Sequence, residues 1–287
     1  MIILNEKAYV EELLFDKRLG EIPTLSLNLI AKYYRQYKGL TPKKIVKELN
    51  DFMINCCVGY NPLEWYEYLE KCAKKSKDRD LREIDGIWIT KAELDSIAQL
   101  QHKSYEKLAF TLLCLAKYGN ARTEKNNNWV NNDYKEIFKL ARISCTKVDR
   151  ERRLNKLYGL GYFSMAKKNE NLSLHVEFVN DESEKVLFIT DFRELGYEYL
   201  LYKKENFIRC RECGILTRGN KNGTKQYCKN CMGYIPELNK KIVCIDCGEE
   251  FIVASNVKNK HRCDDCQKVH RKMAVRESVQ KHRSNNM

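Results

Sequence analysis

Four Cys-x-x-Cys pairs in the last third of this chain constrain its fold more than any other feature. They contain eight of its thirteen cysteines, with 14 residues between the first two pairs and 15 between the last two. A tetrahedral zinc ion needs four soft donors from two short turns, and this spacing supplies them twice. The sequence therefore predicts two structural zinc ions per chain. The predicted ligands are Cys210, Cys213, Cys228 and Cys231 at the first site, and Cys244, Cys247, Cys263 and Cys266 at the second.

The residues around these pairs are typical of zinc ribbons. Gly214 and Gly248 each follow the first pair of a module, where the chain must turn tightly. Residues 241–243 and 251–253 flank the first turn of the second module as the two strands of a hairpin would. We expect two small zinc ribbons with four cysteine ligands each, at residues 207–235 and 240–267. Because every ligand is a cysteine, neither site offers an open position for a catalytic water.

Other uses of these cysteines stay open at this point. Disulfide bonds, redox dithiols and an interleaved cross-brace all employ paired cysteines. Sequential pairing closes the shortest loops and therefore has the lowest entropic cost. His261 stands near Cys263 and could replace a ligand, although a solvated histidine is the simpler interpretation.

The rest of the composition favours an intracellular protein. The first residues form no charged, apolar and cleavable leader, and no uninterrupted apolar run approaches about 18 residues. The five other cysteines show no paired spacing, and we interpret them as buried free thiols. We therefore expect a cytoplasmic protein that does not contact a membrane.

The formal charge of +13 is concentrated towards the carboxyl end. From residue 207 onward the chain has 17 Lys and Arg against 8 Asp and Glu. Two all-thiolate zinc sites would offset part of this excess, since each carries a charge of about −2. Residues 268–287 escape that correction and form a basic tail suited to phosphates, with a solvated tail as the alternative. Its candidate nucleic-acid contacts are Lys268, Arg271, Lys272 and Arg276.

Residues 1–90 are predicted to form a helical amino-terminal domain. Thr41-Pro42 and Asn61-Pro62 each pair a capping residue with proline at the first helical position. Apolar residues at helical spacing supply the core faces of these helices. Thr90 and Glu93 match a capping box, so a new helix is expected to begin at Lys91.

The central region, residues 91–182, shows a helix, a second helix, a turn, a basic third helix and a hairpin. Apolar residues recur at helical spacing from Tyr105 to Ala116, and Gly119 is placed to end that helix. Asp133 and Thr146 are candidate caps for the next two helices. This order of elements resembles the winged-helix superfamily, with the hairpin as the wing.

In winged-helix domains the third helix commonly enters the major groove of DNA, and the wing can touch the backbone. Leu154, Leu157 and Tyr158 would face the core, whereas Val148 is out of phase with them and Arg150 lies near their stripe. A winged helix used for protein contacts is the alternative. The candidate nucleic-acid contacts implied by the resemblance are Lys147, Arg150, Arg152, Arg153, Asn155 and Lys156 on the helix, and Lys167 and Lys168 on the wing.

Residues 183–206 are predicted to connect this region to the ribbons. They contain a candidate strand at residues 186–189 and a helix at residues 192–203 that Asp191 could cap. No Walker loop, dinucleotide fingerprint or His-Glu-x-x-His motif occurs anywhere in the chain. We therefore expect a protein that is not an enzyme. The expected fold class is mainly α, within α+β.

The second cysteine module and its basic tail resemble the ribbon ends of small proteins carried by phages and mobile elements of low-GC Gram-positive bacteria. The residues that carry this resemblance lie at 244–251 and 262–267. It implies a cytoplasmic protein that handles nucleic acid in phage gene control or replication. Together with the winged-helix order, the sequence predicts sequence-selective binding of duplex DNA in gene regulation or replication. A factor that binds and modulates a host polymerase or defence complex is the main alternative, and RNA binding is a third. The sequence does not indicate an oligomeric state.

Overall fold

A computed structural model describes residues 2–57, 59–123, 125–166, 173–232, 239–254, 257 and 259–284. The fold is α+β, with helices and small antiparallel sheets. The chain divides into two compact units, Met1–Glu205 and Asn206–Met287. No helix in the described residues is both long and apolar enough to cross a bilayer.

Four helices begin the first unit. Asn5 and Asn61 cap the first and fourth through their side chains, which accept from the amides of Ala8 and Leu63. The second, third and fourth helices all begin at a proline, whose fixed φ suits the first helical position. The helices are α1 (Glu6–Asp16), α2 (Pro23–Lys38), α3 (Pro42–Cys56) and α4 (Pro62–Lys75). Their shared core includes Val10, Leu13, Leu27, Ile30, Ile45, Leu49 and Leu69.

The central helix of the first unit is α6 (Lys103–Arg122), which is buried on nearly every face. It follows α5 (Lys91–Ala98), whose predicted capping box between Thr90 and Glu93 is confirmed. The prediction that Gly119 ends α6 is wrong, because the helix continues to Arg122. Gly119 instead makes room for a loop, since a Cβ there would lie 2.4 Å from the side-chain nitrogen of Asn126.

A two-stranded sheet joins distant parts of the first unit. β1 (Ile87–Thr90) pairs antiparallel with the fifth strand in sequence, Lys185–Ile189, so the predicted strand at 186–189 is confirmed. The following helix, Leu195–Tyr202, packs against α6. It begins later than predicted and has Glu194, not Asp191, at its N-cap position. The segment predicted as a connector therefore contributes a strand and a helix to this unit.

Two helices and a three-stranded sheet complete the middle of the first unit. α7 (Tyr134–Leu140) and α8 (Lys147–Gly159) are capped by Asp133 and Thr146, as predicted. The sheet has the order β2-β4-β3. Its strands are β2 (Trp129–Val130), β3 (Phe163–Met165) and β4 (Leu174–Val176). The strand that pairs with β1 is β5 (Lys185–Ile189), and the helix that follows it is α9 (Leu195–Tyr202). The two-residue strand β2 was not predicted, and the predicted turn with Lys167 and Lys168 lies outside the described residues.

Two hairpins and two helices are found among the described residues of the second unit. β6 (Phe207–Arg209) pairs with β7 (Leu216–Arg218), and β8 (Asn239–Val243) pairs with β9 (Glu250–Ala254). α10 (Lys229–Met232) follows the first hairpin and α11 (Asp264–Ser284) follows the second. The sequence indicated only the second hairpin, because strands as short as β6 and β7 carry too little alternation to recognise.

Candidate metal centres and cationic surfaces

The cysteines of the second unit form two groups. Cys210, Cys213, Cys228 and Cys231 make up the first, and in each group the four Sγ atoms lie within 4.8 Å of one another. The sulfurs of Cys213 and Cys228 are 3.7 Å apart, and those of Cys247 and Cys263 are 3.8 Å apart. A tetrahedral site with metal–sulfur bonds of about 2.3 Å has edges of about 3.8 Å. Both groups could therefore hold a metal ion. The second consists of Cys244, Cys247, Cys263 and Cys266.

The turn of the first group is shaped by its backbone. The amide of Gly214 donates to the carbonyl of Cys210 at 2.9 Å, and the amide of Cys210 donates to the carbonyl of Ile215 at the same distance. Gly214 has a φ of +67°, a conformation that costs glycine little. The amide of Arg211 donates to the carbonyl of Gln226 at 3.0 Å, which holds the second pair beside the first.

The second group repeats this pattern bond for bond. The amide of Gly248 donates to the carbonyl of Cys244, and the amide of Cys244 donates to the carbonyl of Glu249. The amide of Ile245 donates to the carbonyl of His261. Gly248 has a φ of +74°. His261 takes part through its backbone and is not a member of the cysteine group. The two modules are thus an internal repeat in hydrogen bonding as well as in cysteine spacing.

The two first cysteines are poised to ionise. Burial raises the pKa of the Cys210 thiol, but hydrogen bonds from the amides of Cys213, Cys228 and Glu212 lower it to about 6. Hydrogen bonds from the amides of Cys247 and Cys263 likewise lower the pKa of Cys244 to about 6. Metal ligation requires thiolates, so the backbone favours the form that binds a metal.

The geometry bears on two of the uses of paired cysteines that the sequence left open, disulfide bonds and a cross-brace. All eight cysteines are free, and the 3.7 and 3.8 Å between neighbouring pairs exceed the roughly 2.05 Å of a disulfide bond. Each group draws its sulfurs from two consecutive pairs, which is the sequential arrangement and not the cross-brace. The identity of the metal, zinc, stays a prediction.

Helix α8 presents a mixed cationic face. Lys147, Arg152 and Lys156 are exposed, as is Asn155, whereas Arg153 is half-buried. Asp149 and Glu151 form only long ion pairs with Arg152 and Lys147, of 3.7 and 3.9 Å.

The burial of residues on α8 follows the predicted apolar stripe only in part. Leu154 and Leu157 face the core, as predicted, but Tyr158 is 51% exposed. Arg150 lies near their stripe, as predicted, and its Nε is buried without a hydrogen-bond partner among the described residues. Val148 is 63% exposed. The outward face therefore runs through Val148, Arg152 and Lys156, which lie four residues apart.

The basic tail begins as a continuous helix. α11 starts at Asp264, inside the second cysteine module, and its Lys268, Arg271, Lys272 and Arg276 are all exposed. Lys268 pairs with Asp265 at 3.1 Å. Val269 and Met273 are also exposed on this helix, at 56% and 58%.

One further cationic site was missed by sequence reasoning. A cleft of about 330 Å³ in the first unit is lined by Arg79, Arg82 and Arg122 together with Trp129. These residues come from three separate segments, and no local motif links them. Only the packing of α6 against its neighbours brings them together.

No protein-family model matches this chain, and neither the curated proteins nor the solved structures include a significant match. A proposal for its function therefore rests on the geometry of its own side chains.

Proposed function

We propose that this is a non-enzymatic, cytoplasmic, zinc-containing protein that binds duplex DNA selectively, in phage or mobile-element gene regulation or replication. The observation that carries the proposal is the exposed cationic face of α8, which is followed directly by the β3–β4 hairpin. The two cysteine groups support the zinc content of the proposal, since four thiolates at tetrahedral spacing are typical of structural zinc.

The order of elements around α8 supports the winged-helix interpretation. Helices α6, α7 and α8 precede the hairpin, and α7 and α8 both pack on α6. Phe138 of α7 and Leu157 of α8 are buried. In this arrangement α8 would be the helix that enters the major groove. Its outward Arg152, Asn155 and Lys156 are of the residue types that contact base edges and phosphates.

The cysteine modules would extend the contact surface. Structural zinc fixes short hairpins that cannot build a core of their own. Helix α11 continues from the second module with four exposed cationic side chains and few acids, which suits attachment to phosphates. Its contribution would be sequence-independent affinity, whereas α8 would read bases.

The test is selection from a random duplex pool by the zinc-loaded protein across a salt series, with an RNA pool in parallel. We expect an enriched duplex motif. The logarithm of the binding constant should fall linearly with the logarithm of the salt concentration, with a slope of about −0.9 for each phosphate contact. Truncation after residue 267 should flatten that slope and leave the motif unchanged. Enrichment of RNA alone would contradict duplex binding, and an altered motif after truncation would assign base reading to the tail.

A second candidate is supported by an exposed aromatic pair on the β1–β5 sheet. Trp88 and Phe188 lie directly opposite each other with ring centroids 4.7 Å apart, and they are 44% and 40% exposed. Val186 adds a third apolar side chain, 38% exposed. Such a surface favours a protein partner, such as a host polymerase or defence complex. Two results together would establish this function in place of the first. The unaltered protein would capture a protein partner but bind no nucleic acid, and the double variant Trp88→Ala/Phe188→Ala would no longer capture that partner.

A further inference from the structure

The cleft between α6 and the loop that follows α4 has an unbalanced charge. Among the described residues, Arg79, Arg82 and Arg122 line it together with a single carboxylate, that of Glu6. Glu6 is 3% exposed, and its carboxylate oxygens form ion pairs with guanidinium nitrogens of Arg79 and Arg82 at 2.7 and 2.8 Å. Three guanidinium groups and one carboxylate leave an excess of two positive charges within the lining. A cleft with this excess is suited to an anionic ligand.

The buried carboxylate also orients the cations. Glu6 accepts from both terminal nitrogens of Arg79 and from Nε of Arg82, and the amide of Arg82 donates to it as well. Arg82 donates in addition to the hydroxyl of Tyr118 at 3.0 Å. Arg79 remains 41% exposed in its side chain, so donors not engaged by Glu6 are within reach of a ligand. The arrangement resembles a supported site more than a surface cluster, because Glu6 fixes the positions of the Arg79 and Arg82 guanidinium groups.

Arg122 differs from the other two arginines. It is exposed in the last turn of α6, and the described residues supply it with no acidic partner. Its guanidinium group lines the cleft, where it can contact an anionic ligand.

An asparagine-rich segment supplies another part of the lining, through Asn126. The side chain of Asn120 accepts from the amide of Asn128 at 2.8 Å and from the side chain of Asn126 at 3.0 Å, and it donates to the side chain of Asn128 at 2.7 Å. Asn127 and Asn128 have positive φ values of 45° and 65°, an uncommon conformation for residues other than glycine. Asparagine adopts this left-handed conformation more readily than most other residues, so the turn suits its sequence.

This loop places an aromatic ring in the cleft. Asn126 donates to the carbonyl of Trp129 at 3.0 Å and accepts from its amide at 3.2 Å. Trp129 is half-buried, packs edge-on against His175 and lines the cleft beside Asn131 and Asn132. An indole that borders a cationic cleft offers a surface on which a nucleobase can stack. The amide groups next to it can hydrogen-bond the polar edge of such a base.

We infer that this cleft binds a nucleotide, with the phosphate on Arg122 and Arg79 and the base against Trp129. Its volume of about 330 Å³ lies at the small end of the range for small-molecule sites, about 300–1,000 Å³. The ligand is either a free mononucleotide or a nucleotide at the end of a strand, since both offer the same phosphate and base. This site is separate from the face of α8 proposed to read duplex DNA.

The test uses the fluorescence of Trp129 alone. The chain has three tryptophans, so Trp65→Phe/Trp88→Phe leaves Trp129 as the only reporter in the zinc-loaded full chain. The probes are AMP, GMP, CMP and UMP, with adenosine and inorganic phosphate as partial ligands and a 5′-phosphorylated trinucleotide as the strand end. We expect saturable quenching by at least one mononucleotide or by the trinucleotide, and weaker binding of adenosine and of phosphate.

Two substitutions assign the contacts. Arg122→Gln should weaken binding at least tenfold because a charge-assisted contact to the phosphate is lost, with Arg122→Lys recovering part of it. Arg18→Gln removes the same charge from the end of α1 and should change nothing. Trp129→Phe should lower the affinity for nucleotides at least fivefold, measured by calorimetry, because the base loses its stacking partner. The affinity for inorganic phosphate should not change.

Several outcomes would overturn the inference. Absence of binding by any mononucleotide or by the trinucleotide at millimolar concentration would exclude a nucleotide site. Equal affinity for phosphate and nucleotides would make it a simple anion site, and indifference to both Arg122→Gln and Trp129→Phe would place the ligand elsewhere. Arg152→Ala/Lys156→Ala should leave mononucleotide binding intact, so this result is independent of the test of duplex binding.

Discussion

The two units of this protein achieve order by different means. The first, Met1–Glu205, has a continuous set of buried apolar side chains and several buried charges with partners. The second, Asn206–Met287, has only six buried apolar residues among those described, and three of them are cysteines of the metal groups. A segment with so small a core needs another source of stability, such as a structural metal.

The contrast has a thermodynamic consequence. Burial of apolar surface stabilises the first unit in proportion to the area removed from water. The second unit is expected to gain most of its folding free energy from metal binding. The two units should therefore respond to different perturbations, and four experiments separate them.

Metal removal should have the largest effect, and it should be confined to the second unit. Binding of structural zinc supplies roughly 10–16 kcal/mol in small zinc-binding peptides, so chelation is expected to unfold residues 207–266. Hydrogen exchange followed by mass spectrometry would measure this, with α6 retaining its protection. Cys228→Ser should release one metal per chain, whereas Cys145→Ser, outside both groups, should release none. Loss of protection in α6 on chelation would contradict the independence of the units.

A cavity in the first unit should produce the converse result. Phe110 is fully buried in α6 and packs against Tyr199 with ring centroids 5.3 Å apart. Phe110→Ala is expected to lower the free energy of unfolding of this unit by about 3–5 kcal/mol, measured by urea denaturation. The bound metal should remain at two per chain. Leu63→Ala is the control, because Leu63 is 87% exposed and its truncation should cost about 0.5 kcal/mol or less.

The buried ion pairs of Glu6 should make the first unit sensitive to acid. Burial opposes ionisation of Glu6, but the hydrogen bonds and charges of Arg79 and Arg82 outweigh it and hold its pKa below the ordinary value of 4.5. Because the folded pKa is lower than the unfolded one, this stabilisation is present above about pH 4.5 and is lost as pH falls through the folded pKa.

Glu6→Gln should therefore lower the free energy of unfolding by about 2 kcal/mol at pH 7, measured by urea denaturation. The difference from the unaltered protein should shrink as pH falls below about 4.5. Glu12→Gln affects only exposed pairs with Arg18 and should change little. A difference that is the same at pH 7 and pH 3 would show that Glu6 does not stabilise the unit through its charge.

The face of α8 should affect binding and not stability. Arg152→Ala/Lys156→Ala removes two exposed cations and is expected to weaken duplex binding by about 1–3 kcal/mol, measured by fluorescence anisotropy. The thermal midpoint should be unchanged. Lys43→Ala/Lys44→Ala removes the same charge from exposed positions on α3. Equal losses in both double variants would mean that net charge, and not the α8 face, determines affinity.

Features that depend on neighbouring residues were predictable. The cysteine groups are an example, because each Cys-x-x-Cys turn brings two sulfurs together within four residues. The short separation between consecutive pairs then favours their joining in one group. The caps at Asn61, Thr90, Asp133 and Thr146 were also predictable, since a capping side chain bonds an amide two or three residues away.

Features that depend on distant partners were missed or misjudged. Gly119 was expected to end α6, but the asparagine loop that packs on it becomes visible only in three dimensions. Tyr158 was assigned to the core of α8, yet its position on the helix leaves it 51% exposed. In both cases an intrinsic preference was overridden by what lies beside the residue in the folded chain.

From residue order alone, one can locate the two cysteine groups, the start of most helices and the regions where positive charge accumulates. The tertiary structure alone decided that β5 returns to pair with β1 and that α9 covers α6, about one hundred residues away in sequence. It also decided that Arg79, Arg122 and Trp129 share one cleft. Hydrogen bonds between neighbouring residues depend on residue order. Strand pairing and cleft walls depend on which distant apolar surfaces are buried against each other and removed from water.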